Sequence, residues 1–361
     1  MHTDSARSVP LRLPHRAPPG DDREVTLIRP TSEAARPRGL VRGTGAGRAA
    51  AVLVLTLLAA LIPLLGPSAA LHGTGEAAAP GTAGIGLLRT VLFAALAVLA
   101  GELLVHRLAR RLPGAPAPAP MPRGWSAYAA VAGLAAALGL ALVVATGNLV
   151  PHHLSQIDLG GLYRTRDGAL ALLEVNAFLV AALCAASRRP ATQAWPLAAV
   201  VAAEALRAHP TTEHSPLVGS ALTVVHLTCA SLWTGALLHT LRTCARWRGG
   251  PAAAALLGRY ARVAAVLLAG VTATGVCSSL RRMPPHSVLE QLTGTAYGRV
   301  LLAKVVLVAG VALLALWART RLHRAADPLT ACLPARVEVV ALGAVVAVSG
   351  LLTALPLPLP W

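Results

Sequence analysis

Charge is scarce in this chain. Asp, Glu, Lys and Arg make up 13% of its 361 residues, against 55% apolar, which excludes a large soluble domain. Methionine is scarcer still: Met1, Met121 and Met283 are the only three, too few for a thioether-lined metal relay. The five cysteines form no CxxC pair, so no disulfide framework is expected, and most read as small buried hydrophobes. No phosphate-cradling glycine loop and no HExxH occurs, and no soluble domain is large enough to host ATP hydrolysis. Hydrolytic and phosphoryl-transfer chemistry are therefore excluded, and a non-enzyme is expected. Lysine occurs once, at Lys304.

What remains is apolar and long. Several runs exceed the roughly 20 residues that cross about 30 Å of hydrocarbon, so the chain reads as an all-α polytopic transmembrane bundle of about nine spans. They lie at 49–71, 84–105, 125–146, 168–187, 193–206, 217–241 and 263–280, with two more opening at Thr295 and Arg336. Pro63 and Pro67 are expected to kink or end the first, and 193–206, holding Pro196 and Glu204, is the shortest. Residues 1–48, rich in Arg and Pro without periodicity, read as a disordered basic tail.

A net charge of +17 would point to nucleic acid in a soluble protein, but here the arginines lie between apolar runs, where they set orientation. With the tail inside, alternate loops place 24 Lys/Arg on the cytoplasmic side and six outside. The expected topology has a cytoplasmic N-terminus and an extracytoplasmic C-terminus in the cell membrane. The Pro-Leu-Pro-Trp361 end reads as an interfacial anchor.

An internal echo organises the spans. Ala145-Thr-Gly147, a loop with Tyr163 and Gly168, and a span ending Ser187-Arg-Arg189 resemble Ala273-Thr-Gly275, a loop with Tyr297 and Gly298, and a span ending Arg319-Thr-Arg321. The echo divides the chain into an extra first span at 49–71, a four-helix unit at 84–206 and a second at 217–361. Because four is even, the two units should be parallel. Glu174 and Lys304 each lie six residues after the matched glycine, at equal depth. A structural Glu174–Lys304 ion pair near the pseudo-twofold axis is the expectation, with Lys304 otherwise snorkelling.

Orientation also sorts the histidines. His72, His152, His153, His209, His214 and His286 fall outside, while His106, His239 and His323 fall at cytoplasmic ends. His226 sits in the outer half of an apolar span, where an ionisable group is costly and usually functional. Cys229, three residues on, shares its helical face, so an imidazole and a thiol point the same way. His226, Cys229, Cys277, His209, His214 and His286 are the candidate ligands for a soft metal ion. Met283 beside His286 adds a thioether, and His209 and His214 are spaced to fold over the outer end of the His226 helix. A haem carrier would need two histidines on facing helices; among these only His106 comes near His239.

The second half carries further pieces: His226-Leu and Trp233-Thr-Gly235, Tyr260-Ala-Arg-Val, Thr274-Gly275, Thr295-Ala-Tyr-Gly-Arg-Val-Leu-Leu-Ala-Lys304, Glu338 and a closing Leu-Thr-Ala-Leu-Pro356. With these it resembles the membrane domain of the copper resistance protein D family over roughly the last two fifths of the chain. Thr234 stands where that family usually has a second glycine, and Trp-Ala-Arg319 where an Asn-Arg is usual. The resemblance implies a copper-handling membrane protein, with copper uptake as the leading activity and the candidate ligands above as a copper site. Lipid and an extracytoplasmic copper-binding protein are the implied partners, and nucleic acid is not among them. A scaffold that delivers copper to an oxidase without transporting it is the alternative, and a haem carrier the third.

Overall fold

The apolar runs form helices and nothing else regular. The computed structural model describes residues 45–112, 120–147, 157–187, 190–211, 215–248, 250–282, 288–324 and 332–356. Their α-helices are α1 (Gly45–Leu71), α2 (Thr82–Arg110), α3 (Ser126–Ala145), α4 (Gly161–Arg164), α5 (Arg166–Ala186), α6 (Ala194–Arg207), α7 (Pro216–Arg246), α8 (Pro251–Arg282), α9 (Val288–Gly294), α10 (Ala296–Arg324) and α11 (Cys332–Leu352). Seven of them are long and apolar enough to cross a membrane: α1, α2, α3, α5, α7, α8 and α10. The 14 residues of α6 span only about 21 Å at 1.5 Å per residue, and the apolar part of α11 is Val337–Leu352. The tail before Gly45, including the expected disordered stretch, and the Trp361 anchor lie outside the described residues.

Local chemistry sets several boundaries. Both α7 and α8 open on a proline, Pro216 and Pro251, where the missing N–H costs no hydrogen bond. The first helix continues through Pro63 and Pro67 rather than ending there. In the second half the helices run further than hydropathy predicts, α7 to Arg246 and α8 from Pro251, because the Ala- and Arg-rich ends favour helix without being apolar.

Two starts are alike. Thr165 caps α5, its Oγ1 accepting from Gly168 N at 3.1 Å while its hydroxyl donates to Gly161 O at 2.8 Å. Thr295 treats α10 the same way, accepting from Gly298 N at 3.0 Å and donating to Gln291 O at 2.7 Å. In both, a Cβ on the glycine would strike the backbone of the short helix in front, α4 or α9. The matched element is thus Thr-x-x-Gly, with Thr165 and Thr295 in register and the two tyrosines out of register.

The second helix is the hub. It packs against α1, α3, α7 and α11, and its contact with α7 is close because Gly101 faces Gly235: a Cβ on either would run into the other helix's backbone. Across α11, Gly350 gives the same clearance to Thr90, whose hydroxyl donates to Gly86 O at 2.8 Å. One apolar core, with Leu92, Leu99, Phe178 and Val200, fills the helices α2, α3, α5 and α6; a second, with Trp233, Leu237, Leu256, Val311 and Leu342, fills α2, α7, α8, α10 and α11. The two halves differ in one respect. Whereas α3 packs along α5, with Phe178 lying over Gly133, α8 and α10 do not pack along each other among the described residues. They are joined through α7 and α11.

Candidate metal centre

His226 faces α8. Its Nδ1 lies 3.0 Å from Thr274 Oγ1, and the Thr274 hydroxyl donates back to Gly270 O at 2.6 Å, with Val271 O at 3.2 Å. A hydroxyl has one hydrogen. Because Thr274 directs its own to the carbonyls of its preceding turn, its oxygen accepts from His226, so Nδ1 carries the ring proton. With the proton on Nδ1, Nε2 keeps its lone pair. Gly270 leaves room for the thiol, since a Cβ there would lie 3.0 Å from Cys229 Sγ, whereas a Cβ at Gly275 would stand in ordinary contact with His226 Cε1, at 3.6 Å. The imidazole and the thiol therefore meet α8 one turn apart, as their spacing on α7 predicts. Both side chains are half-buried.

The other candidates divide. His209 is buried and folds onto the first turns of α7, Nε2 at 2.9 Å from Thr223 Oγ1 and its ring against Gly219, which has no Cβ to block it. Thr223 is one turn before His226. Cys277, one turn beyond Thr274 on α8, is exposed. His152, His153, His214, Met283 and His286 lie outside the described residues. Among the described residues no group of three His, Cys, Asp or Glu converges on one point, so His226 and Cys229 are the pair that the fold places on one stripe.

Glu174 corrects an expectation. Its Oε2 is 3.0 Å from Arg207 Nη1 on α6, so its ion pair is with Arg207 in the first unit and not with Lys304. The reason is proximity: α6 packs directly on α5, whereas α5 and α10 share no packed interface. Arg89 of α2 pairs with Glu204 of α6. Both ion pairs were missed, although opposite charges at matching depth in adjacent apolar runs were a readable signal.

At the other end of the bundle, His239 and His106 line one small pocket with Glu102, Met121 and Arg242. Both His239 nitrogens are engaged: Nε2 donates to Val98 O at 3.0 Å, and Nδ1 accepts from Arg242 Nη1 at 3.2 Å. Arg242 stacks 3.6 Å over the Trp125 ring and donates to Arg123 O at 2.8 Å. The cavity measures about 10 Å³, room for one water and none for a porphyrin. His239 here is a tethered structural residue.

No curated protein and no solved structure matches the chain. The family model described as Copper resistance protein D matches residues 254–352, from the first turn of α8 to the end of α11. That stretch supplies Thr274, Gly270 and Gly275, while His226 and Cys229 precede it. With seven described helices long and apolar enough to cross a membrane, the chain is a multi-pass membrane protein whose residues 254–352 are similar to the copper resistance protein D (CopD) family.

Proposed function

We propose that this protein admits copper across the cytoplasmic membrane, taking the ion from the extracytoplasmic side at His226 and Cys229. The observation that carries the reading is the Thr274 hydrogen bond, which fixes the proton on His226 Nδ1 and leaves Nε2 to a metal. Imidazole and thiolate are donors that Cu(I) favours, and Cys229 lies one turn along the same stripe. His209, bonded to Thr223 one turn before His226, is in this reading the residue that passes an ion inward. His214 and His286 belong to the same proposed entry.

The direction follows from the membrane potential, which favours inward movement of a monovalent cation by about 2.3 kcal/mol per 100 mV. No nucleotide-binding motif offers another source of drive. We read the two congruent Thr-x-x-Gly caps as the trace of a duplicated four-helix unit, 84–206 and 217–361, of which the second became the copper-handling half.

Copper uptake by metal-free vesicles containing the purified chain tests the proposal. Uptake is expected from the wild type and should fall to the protein-free background in His226→Ala. Equal uptake by both proteins would remove His226 from the route, and binding without uptake in the wild type would favour a delivery scaffold.

A further inference from the structure

The densest cluster of buried charge lies away from His226, where α5 begins and α6 ends. Arg89 pairs with Glu204, and Arg207 Nη1 reaches both Glu174 Oε2, at 3.0 Å, and Glu204 Oε1, at 3.8 Å. None of the four side chains is more than 12% exposed, and Glu174 is fully enclosed. Charges cancel, but hydrogen bonding does not. Both oxygens of Glu174, Oε1 of Glu204, Nε of Arg89, and Nε and Nη2 of Arg207 have no hydrogen-bond partner among the described residues. Leaving buried ionised groups in that state is costly, because each gave up its hydrogen bonds to water without replacing them.

The two carboxyl groups meet at one guanidinium nitrogen, Arg207 Nη1, which reaches an oxygen of each. As carboxylates neither can donate, so a hydrogen bond between them requires that one of them hold a proton. Two carboxyl groups in a poorly solvated site commonly share one proton for this reason. No further charge intrudes. Packed against α5, α3 contains no charged residue, and Gln193 at the far end of α6 is neutral. Arg166, exposed at the start of α5, donates to Leu206 O at 2.7 Å and His209 O at 3.3 Å.

We propose that Glu174 and Glu204 form a proton-binding site, one exchangeable proton being shared between their carboxyl oxygens while Arg89 and Arg207 hold the pair. Uptake of a proton from water forms one O–H bond and takes the cluster from neutral to a charge of +1; release returns the proton to water. Only its link to copper rests on the function proposed above. That link is α6 itself, whose end carries Glu204 and Arg207 and leads into His209, seated on Thr223 one turn before His226.

The test is infrared spectroscopy of the metal-free full chain in lipid, in a Glu338→Gln background because Glu338 is a further buried carboxyl. The background protein should show the carbonyl band of a protonated carboxylic acid, moved by deuterium oxide and lost reversibly as pH rises. Glu174→Gln and Glu204→Gln should each remove it while keeping helical circular dichroism. No such band in the background protein, or a band surviving in either folded variant, overturns the proposal. Because no copper is present, either outcome leaves the His226 reading to its own experiment.

Discussion

Behind a metal-binding histidine, the group on the second ring nitrogen decides orientation and tautomer, and its loss typically weakens metal binding roughly tenfold to a hundredfold. Thr274 holds that position for His226. Thr274→Val, nearly the same shape without the hydroxyl, should weaken copper binding by that order in a competition titration, and Thr274→Ser should restore it. If valine binds as tightly as threonine, the hydrogen bond does not prepare a metal ligand. The sequence exposed His226 and Cys229 because an ionisable side chain in a long apolar run is conspicuous, and helical spacing put them on one face. It did not expose the role of Thr274, since spacing within one helix carries no information about register against the next. The same gap misplaced Glu174: equal depth in two units suggested Lys304, but a side chain pairs with what its own neighbours bring, here Arg207.

At the scale of elements, the bundle depends on where backbones are allowed to touch. The α2–α7 crossing is closed by Gly101 and Gly235, with neither able to accept a Cβ without moving a helix. Gly235→Ala should destabilise the protein by about 1–3 kcal/mol, the usual cost of overpacking, read as a lower midpoint in thermal or denaturant unfolding. Gly310→Ala, on an open face of α10 with nothing within 4 Å, should be neutral or slightly stabilising, since alanine favours helix. Similar losses at both positions would mean that the crossing is not close-packed. These helices were legible as apolar runs, but their ends were not. Hydropathy stops at the first arginine, whereas α8 continues through Arg259 and Arg262 to Pro251. The short helices α4 and α9 left no hydrophobic signal, being only 4 and 7 residues long.

For the whole molecule, the charge asymmetry of 24 Lys/Arg against six favours one orientation in the membrane. We propose that residues 1–48 face the cytoplasm and that the chain ends outside, so a reporter active only outside the membrane should work when fused after Trp361 and fail when fused before Met1. The reverse pattern would move His226 to the inner half and invert the proposed route. Fold class and membrane placement were open to reading because composition and run length are properties of the whole chain. The site was open only in part, because it is assembled between helices: α7 supplies the donors and α8 the hydrogen-bond acceptor and the clearance.

The most direct test of the central claim is copper retention by the purified full-length chain, compared between wild type and His226→Ala at equal loading and after equal washing. The wild type should keep copper with an X-ray absorption signature containing both nitrogen and sulfur neighbours, and the variant should lose the metal. Equal copper in the two, or a wild type that keeps none, would contradict the assignment of His226 and Cys229 as a copper site.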